Sequence, residues 1–356
     1  MQTKSLGFID TTRALAAFFM VFTHVVGLYS TNAIAEHSFF GKAIGLLGEA
    51  PAAPVFMVAM GILFSYKGKA DFHLNIKRGI KLLFKGYALN IARIILPGLV
   101  FLLFLIFESS HSGGQDNLGS EMSKKALDSI FVIDILHLAG LYYIVLSVFQ
   151  KLGLKNYSIV FVMTAVAFIS PVIWGMGTSL PFIGRGFDLL WGTGGEQVSF
   201  PLFPWIVYPL LGMILGNIYR DPLKLTPRTM LYQAGLGGVL AAIGLVMALG
   251  NWEYHFGDYW RTGPGGLFVY TGFVLIWLSL FFLLNDFIPS FFAEFFRFVS
   301  RNITNFYITQ WLIISIGIVF VEEDKLGMLP TIFAISVVCA MTVLICRFLQ
   351  KKNINF

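Results

Sequence analysis

Charge is scarce in this sequence. Asp, Glu, Lys and Arg make up 12% of its residues, against 57% hydrophobic. A soluble globular chain carries about twice that charge, so this composition and a mean hydropathy of +0.77 exclude one and point to a polytopic membrane protein. Cysteine is nearly missing too. Cys339 and Cys346 share one apolar segment at heptad spacing, which puts them on one helix face about 10 Å apart. That is beyond disulfide reach, and the pair offers no redox or metal framework, so no metal is expected. There is no visible internal repeat, which counts against a transporter built from inverted halves. Nor is there a stretch with the composition of a soluble domain, and residues 1–356 read as one transmembrane domain. The net charge of +6 does not indicate a nucleic-acid partner. The basic residues stand at the ends of apolar runs, where membrane topology explains them.

What is present is a series of apolar runs of about 20 residues, the length that crosses a bilayer. They fall near 8–30, 42–66, 79–107, 128–150, 157–174, 198–218, 229–250, 267–285, 300–321 and 329–348. The expectation is an all-α protein of about ten transmembrane helices. Lys and Arg collect in alternate connections: Lys67, Lys69, Lys77, Arg78 and Lys81; Lys151 and Lys155; Arg220, Lys224 and Arg228; Arg297 and Arg301; Arg347, Lys351 and Lys352. By the positive-inside rule both termini are cytoplasmic. The other connections are acidic, Gly-rich or aromatic, and read as the outer face. "AIA" at 33–35 resembles a signal-peptidase site, but the segment before it is longer than a signal core and holds ionisable groups, so it is read as a retained span.

Ionisable residues inside the bilayer cost several kcal/mol unless paired or hydrated, so each is a functional candidate. Arg13 and His24 lie eleven positions apart in the first run. On a helix that spacing returns to nearly the same face about 16 Å further on. Asp10, one turn before Arg13, is placed to pair with it. Glu49, Asp134, His137 and Trp205 fall at a depth similar to that of His24 on other runs, Gln310 approaches that level from the opposite direction, and Asn90 and Arg93 fall near mid-membrane. A polar chamber in the outer half is the simplest arrangement. Bland readings stand beside these: snorkelling for Arg13, helix–helix hydrogen bonding for His24, structural pairing for Glu49 and Asp134, and interface anchoring for the tryptophans.

The segment "RALAAFFMVFTH" resembles the R-x10-H pattern of the first span in the acyltransferase-3 family, membrane proteins that acylate sugars with acyl-CoA. Other stretches, "APVFMVAMGILFS", "KRGIKLLFKG", "DILHLAGLYYIV" and "SFPLFPWIVYPLLGMILGNIY", resemble the heparan-alpha-glucosaminide N-acetyltransferase catalytic-domain family. The matches run in order from about residue 6 to 220 and continue weakly to "RNITNFYITQW". There are departures. Gln310 stands where acyltransferase-3 proteins commonly have histidine, and Ser199 where bacterial relatives of the heparan enzyme often have an acidic residue. The position of His24 resembles an asparagine in the heparan enzyme, whose catalytic histidine lies in the first outer loop, where this chain has His37.

The resemblance implies transfer of an acetyl group from cytoplasmic acetyl-CoA, used as co-substrate, to a sugar, glycan or related envelope acceptor. It implies an integral protein of the bacterial inner membrane, with homo-oligomers possible. His24 would be the general base, with Arg13 on its stripe and Glu49 or Asp134 orienting the imidazole. Arg13, Lys77, Arg78 and Lys81 would bind the donor's phosphates. His137, Asp188, Trp191, Trp205 and Gln310 would hold the acceptor. Two alternatives remain open at this stage: a transporter using the same Arg, His and carboxylates as a proton or solute path, and a non-catalytic relative that keeps the fold.

Overall fold

Apolar runs that must satisfy their backbone groups internally become helices in a bilayer, and the computed structural model of this chain is all-helical in its described residues. These are residues 6–68, 71–108, 129–177, 181–193, 198–321, 324–354 and 356, with the backbone alone described at 103–108 and 181–182. Parts of the connections expected on the outer face, at 109–128, 178–180, 194–197 and 322–323, lie outside them.

The main helices are α1 (Gly7–Tyr29), α2 (Phe39–Gly48), α3 (Ala53–Tyr66), α4 (Phe72–Glu108), α5 (Ile135–Lys151), α6 (Asn156–Ile173) and α7 (Pro181–Leu190). They continue with α8 (Val207–Tyr219), α9 (Pro227–Ala248), α10 (Pro264–Leu284), α11 (Ser290–Arg301), α12 (Ile303–Gly317) and α13 (Met328–Lys351). Among the described residues, eight stretches are long and apolar enough to cross a membrane: Gly7–Tyr29, Phe39–Tyr66, Phe72–Leu102, Asn156–Ile173, Leu202–Tyr219, Pro227–Ala248, Pro264–Phe287 and Met328–Lys351. The protein is a polytopic membrane protein.

That count is eight, where the apolar runs suggested about ten. The two runs that fall short do form helices, but α5 has 17 residues and α12 has 15. At 1.5 Å per residue they reach about 26 and 22 Å, shorter than any of the eight stretches, the shortest of which have 18 residues. Their starts explain the shortfall. Asp134 caps α5 and fixes its first turn at Ile135. Asn302 leaves helical geometry at the head of α12, separating it from α11.

Contacts divide the chain into two units. The first comprises residues 1–16, 49–84 and 133–301. Its helices associate through small residues, as lipid offers no hydrophobic drive between helices and interhelical hydrogen bonds average only about 0.6 kcal/mol. A Cβ at Gly61 of α3 would strike the Pro209 carbonyl on α8, and one at Gly212 would strike that of Val58. The start of α4 meets α5 in the same way: a Cβ at Gly79 would lie 2.7 Å from the Gly140 carbonyl oxygen, and one at Gly140 equally near that of Gly79. The Phe-Pro-Leu-Phe-Pro-Trp segment turns beside the head of α5, where Ile133 bridges Val198 and the Ser199 N–H donates to the Ile133 carbonyl at 3.0 Å.

The second unit comprises residues 17–48, 85–132 and 302–356. The Tyr29 hydroxyl at the end of α1 donates to the Ile314 carbonyl of α12 at 2.6 Å, and Phe18 packs edge-on against Phe306 with centroids 5.2 Å apart. Asn90 of α4 donates to the Ile130 and Val132 carbonyls at 3.0 and 2.8 Å. Asn305 binds the chain end, donating to the Ile354 carbonyl at 3.3 Å and accepting from the Phe356 N–H at 3.1 Å. Both of these asparagines thus act as backbone anchors.

Candidate active site

Arg13 projects from α1 in the first unit. Its Nη1 donates to the Ser300 hydroxyl at 3.0 Å, and that hydroxyl donates to Asp10 Oδ1 at 2.6 Å. The expected Asp10–Arg13 pair is therefore bridged by a third residue, which α11 supplies. This helix was read from sequence as a connection. Its Phe-rich opening leaves Phe291 and Phe292 exposed while Val299 and Ser300 are buried, the pattern of a helix with one packed face. Beside the bridge a cavity of about 420 Å³ is lined by Asp10, Thr11, Asn285, Asp286 and Arg297 among others. It offers both signs of charge to a polar group.

His24, on the same helix, belongs to the second unit. Its imidazole centroid lies 4.1 Å from the ring of Trp311, tilted by 33°. The Arg93 guanidinium carbon lies 3.7 Å from the centroid of that indole. Gln310, the neighbour of Trp311 on α12, is 1% exposed, and its carboxamide has no hydrogen-bond partner among the described residues. Thr309 and Gln310 make this stretch of α12 polar and buried, as Asn305 and Ser315 do elsewhere on the helix.

Asp134 and His137 belong to the first unit and close the start of α5. Asp134 Oδ1 accepts from the Ile135 N–H at 2.6 Å, while the Asp134 N–H donates to His137 Nδ1 at 3.2 Å. Together they form a reciprocal capping box. His137 is fully buried there. Glu49 sits at the head of α3, where its Oε2 accepts from the Tyr270 hydroxyl at 3.4 Å and its carbonyl from the Tyr259 hydroxyl at 3.0 Å. These tyrosines join an aromatic group with Trp205, Trp260, Tyr208 and Phe200. Trp205 is 2% exposed and its indole donates to the Trp260 carbonyl at 2.9 Å, so it is a wall of that group and no interface anchor.

Further along the first unit, Trp191 stacks on Phe187 with centroids 4.6 Å apart and donates to the Met176 carbonyl at 2.8 Å. Asp188 accepts from the Thr193 N–H at 3.1 Å, bonds the Thr193 hydroxyl and faces Arg185 at 3.8 Å. Lys77, Arg78 and Lys81 are exposed on the first turns of α4, with Arg78 donating to Asn75 Oδ1 at 3.4 Å. The residues read from sequence therefore fall into these groups: Arg13 with Asp10, His24 against Trp311 of α12, Asp134 with His137, and Glu49 with the aromatics. Ser300 and Trp311 were missed. The helical spacing that drew attention to Arg13 and His24 says nothing about partners so far away in sequence.

A family model described as an acyltransferase domain matches residues 6–349. The chain belongs to the acyltransferase-3 family. This bears out the resemblance that Arg13 and His24 carry in the first run, and it makes the protein a membrane acyltransferase by family, with an acyl donor and an acceptor implied. No curated protein matches the chain.

Proposed function

We propose that this family member moves an acetyl group from cytoplasmic acetyl-CoA to a carbohydrate or related envelope acceptor across a bacterial inner membrane. The observation that carries the reading is His24: an imidazole eleven residues beyond Arg13 on one unbroken helix, held against Trp311. A neutral imidazole serves as general base near physiological pH. It takes the proton from the acceptor hydroxyl or amine as that atom attacks the thioester carbonyl. The tetrahedral intermediate then collapses with cleavage of the C–S bond, and the CoA thiolate recovers the proton from the imidazolium.

The donor is polyanionic. Lys77, Arg78 and Lys81 stand exposed on one helix end and suit its phosphates, while the Arg13 guanidinium, kept in place by Ser300, is a further cation for the donor. On the acceptor side, Glu49 can bond hydroxyls while the aromatic group around Trp205 and Tyr259 offers faces to a sugar ring. Gln310, Asp188 and Trp191 are further acceptor contacts in this reading. Asp134 and His137 contribute by fixing the head of α5. Both termini are cytoplasmic, so a cysteine placed at Lys67 is labelled from the inner side alone, and one within 111–120, outside the described residues, from the outer side.

The test uses sealed proteoliposomes with labelled acetyl-CoA enclosed and an envelope-sugar extract outside. Label on the external sugar, absent without protein, is the expected result. Label that appears only when donor and acceptor share a compartment would remove the transmembrane step, and no acylated sugar under either arrangement would remove the proposal.

A further inference from the structure

Within the second unit, groups from three helices meet at one indole. Trp311 comes from α12 and is 9% exposed. The His24 imidazole from α1 lies 4.1 Å from it, centroid to centroid, and the Arg93 guanidinium from α4 lies 3.7 Å from its centroid. Each of the three is unusual in an apolar helix. A guanidinium at membrane depth gains from an electron-rich neighbour, and an indole face is the best of the aromatic ones. An indole so held has a fixed plane. An imidazole lying on that plane loses much of its freedom to turn about its own ring axis, because rotation out of the tilted stack would drive its edge into the indole.

We propose that Trp311, braced by Arg93, is the positioning residue that orients the His24 imidazole for proton transfer. The proposal rests on the reading of His24 as general base. Its physical basis is the narrow geometry of that step. The base nitrogen must come within about 2.6–3.2 Å of the proton's heavy atom, and a displacement of about 1 Å can cost on the order of 10²-fold in rate. A contact through the ring face suits this task, since it sets the plane without using the ring nitrogens. Simple packing is the competing explanation. It predicts that any apolar side chain filling the volume at 311 would serve, and that the charge on Arg93 is dispensable.

The variants Trp311→Phe, Trp311→Leu, Arg93→Lys and Arg93→Met separate these explanations. Each is purified in lipid and assayed for kcat and KM with acetyl-CoA and the envelope-sugar extract. The expected pattern is a kcat within about threefold of wild type for Trp311→Phe, which keeps an aromatic face, and a fall of on the order of 10²-fold for Trp311→Leu. Arg93→Lys should retain more activity than Arg93→Met, and KM should change little throughout. A second measurement needs no turnover: the rate of carbethoxylation of His24 by diethylpyrocarbonate, followed by mass spectrometry of its peptide. It should rise in Trp311→Leu and, to a smaller extent, in Arg93→Met. Wild-type kcat in Trp311→Leu, or equal losses in the Phe and Leu variants, would overturn the proposal. So would unchanged His24 labelling in Trp311→Leu and Arg93→Met. If the wild-type protein transfers no acyl group, the base reading fails on its own account, and the labelling still decides whether the stack holds the ring.

Discussion

Two ionisable groups on one helix are handled in two ways. In the first unit the Arg13 guanidinium is met by hydrogen bonding, through Ser300 to Asp10. In the second unit the His24 ring is met by a face, the indole of Trp311, with Arg93 on the same indole. Magnitudes show why the treatments differ. An arginine at a helix centre in a bilayer costs about 3 kcal/mol on insertion scales, and a hydrogen bond to a charged group returns roughly 1.5–3 kcal/mol. The Ser300 bridge is thus of the right size to hold Arg13 in place. The role proposed for His24, that of a base, has a different requirement: the ring must be held in a set orientation, and a face contact fixes its plane. On the proposed roles, the contrast is between a charge for donor binding that is tied down by hydrogen bonds and a base that is steadied through its face.

The largest expected effect breaks the comparison at its reactive end. His24→Ala should lower kcat by about 10²–10⁴-fold, the usual worth of a general base. Arg13→Ala should act mainly on KM for acetyl-CoA, and a loss confined to kcat there would erase the distinction between the two groups. A smaller effect sharpens the first unit's half. Ser300→Ala removes the bridge, and thermal or denaturant unfolding in detergent should show a loss of about 1.5–3 kcal/mol, together with a weaker donor KM; unchanged unfolding and KM would mean that the bridge holds nothing. The smallest concerns Asp134. As a helix cap, it should cost about 1 kcal/mol on substitution by Ala and much less by Asn, which caps equally well. If Asp134→Asn is stable yet loses turnover as His24→Ala does, the carboxylate belongs with the chemistry.

These differences also mark what could be read from sequence. Apolar runs announce membrane helices because the bilayer leaves the backbone no other choice, so each expected run holds a helix. The shortness of α5 and α12 was hidden, since hydropathy does not register an Asp134 cap or the break at Asn302. The capping role of Asp134 was missed because His137, in place of the usual Glu or Gln, completes the box. On the site itself, spacing within α1 singled out Arg13 and His24, and Arg93 was noticed only as a charge near mid-membrane. Ser300 and Trp311 are contributed by distant helices, and no local pattern in "FFRFVSR" or "YITQW" ties them to α1.

The most direct test of the account is release of free CoA thiol from acetyl-CoA by the purified protein in lipid, with and without envelope-sugar extract, beside a well-folded His24→Ala variant. The account predicts release that depends on acceptor and vanishes in the variant. Release at the wild-type rate by His24→Ala would contradict it.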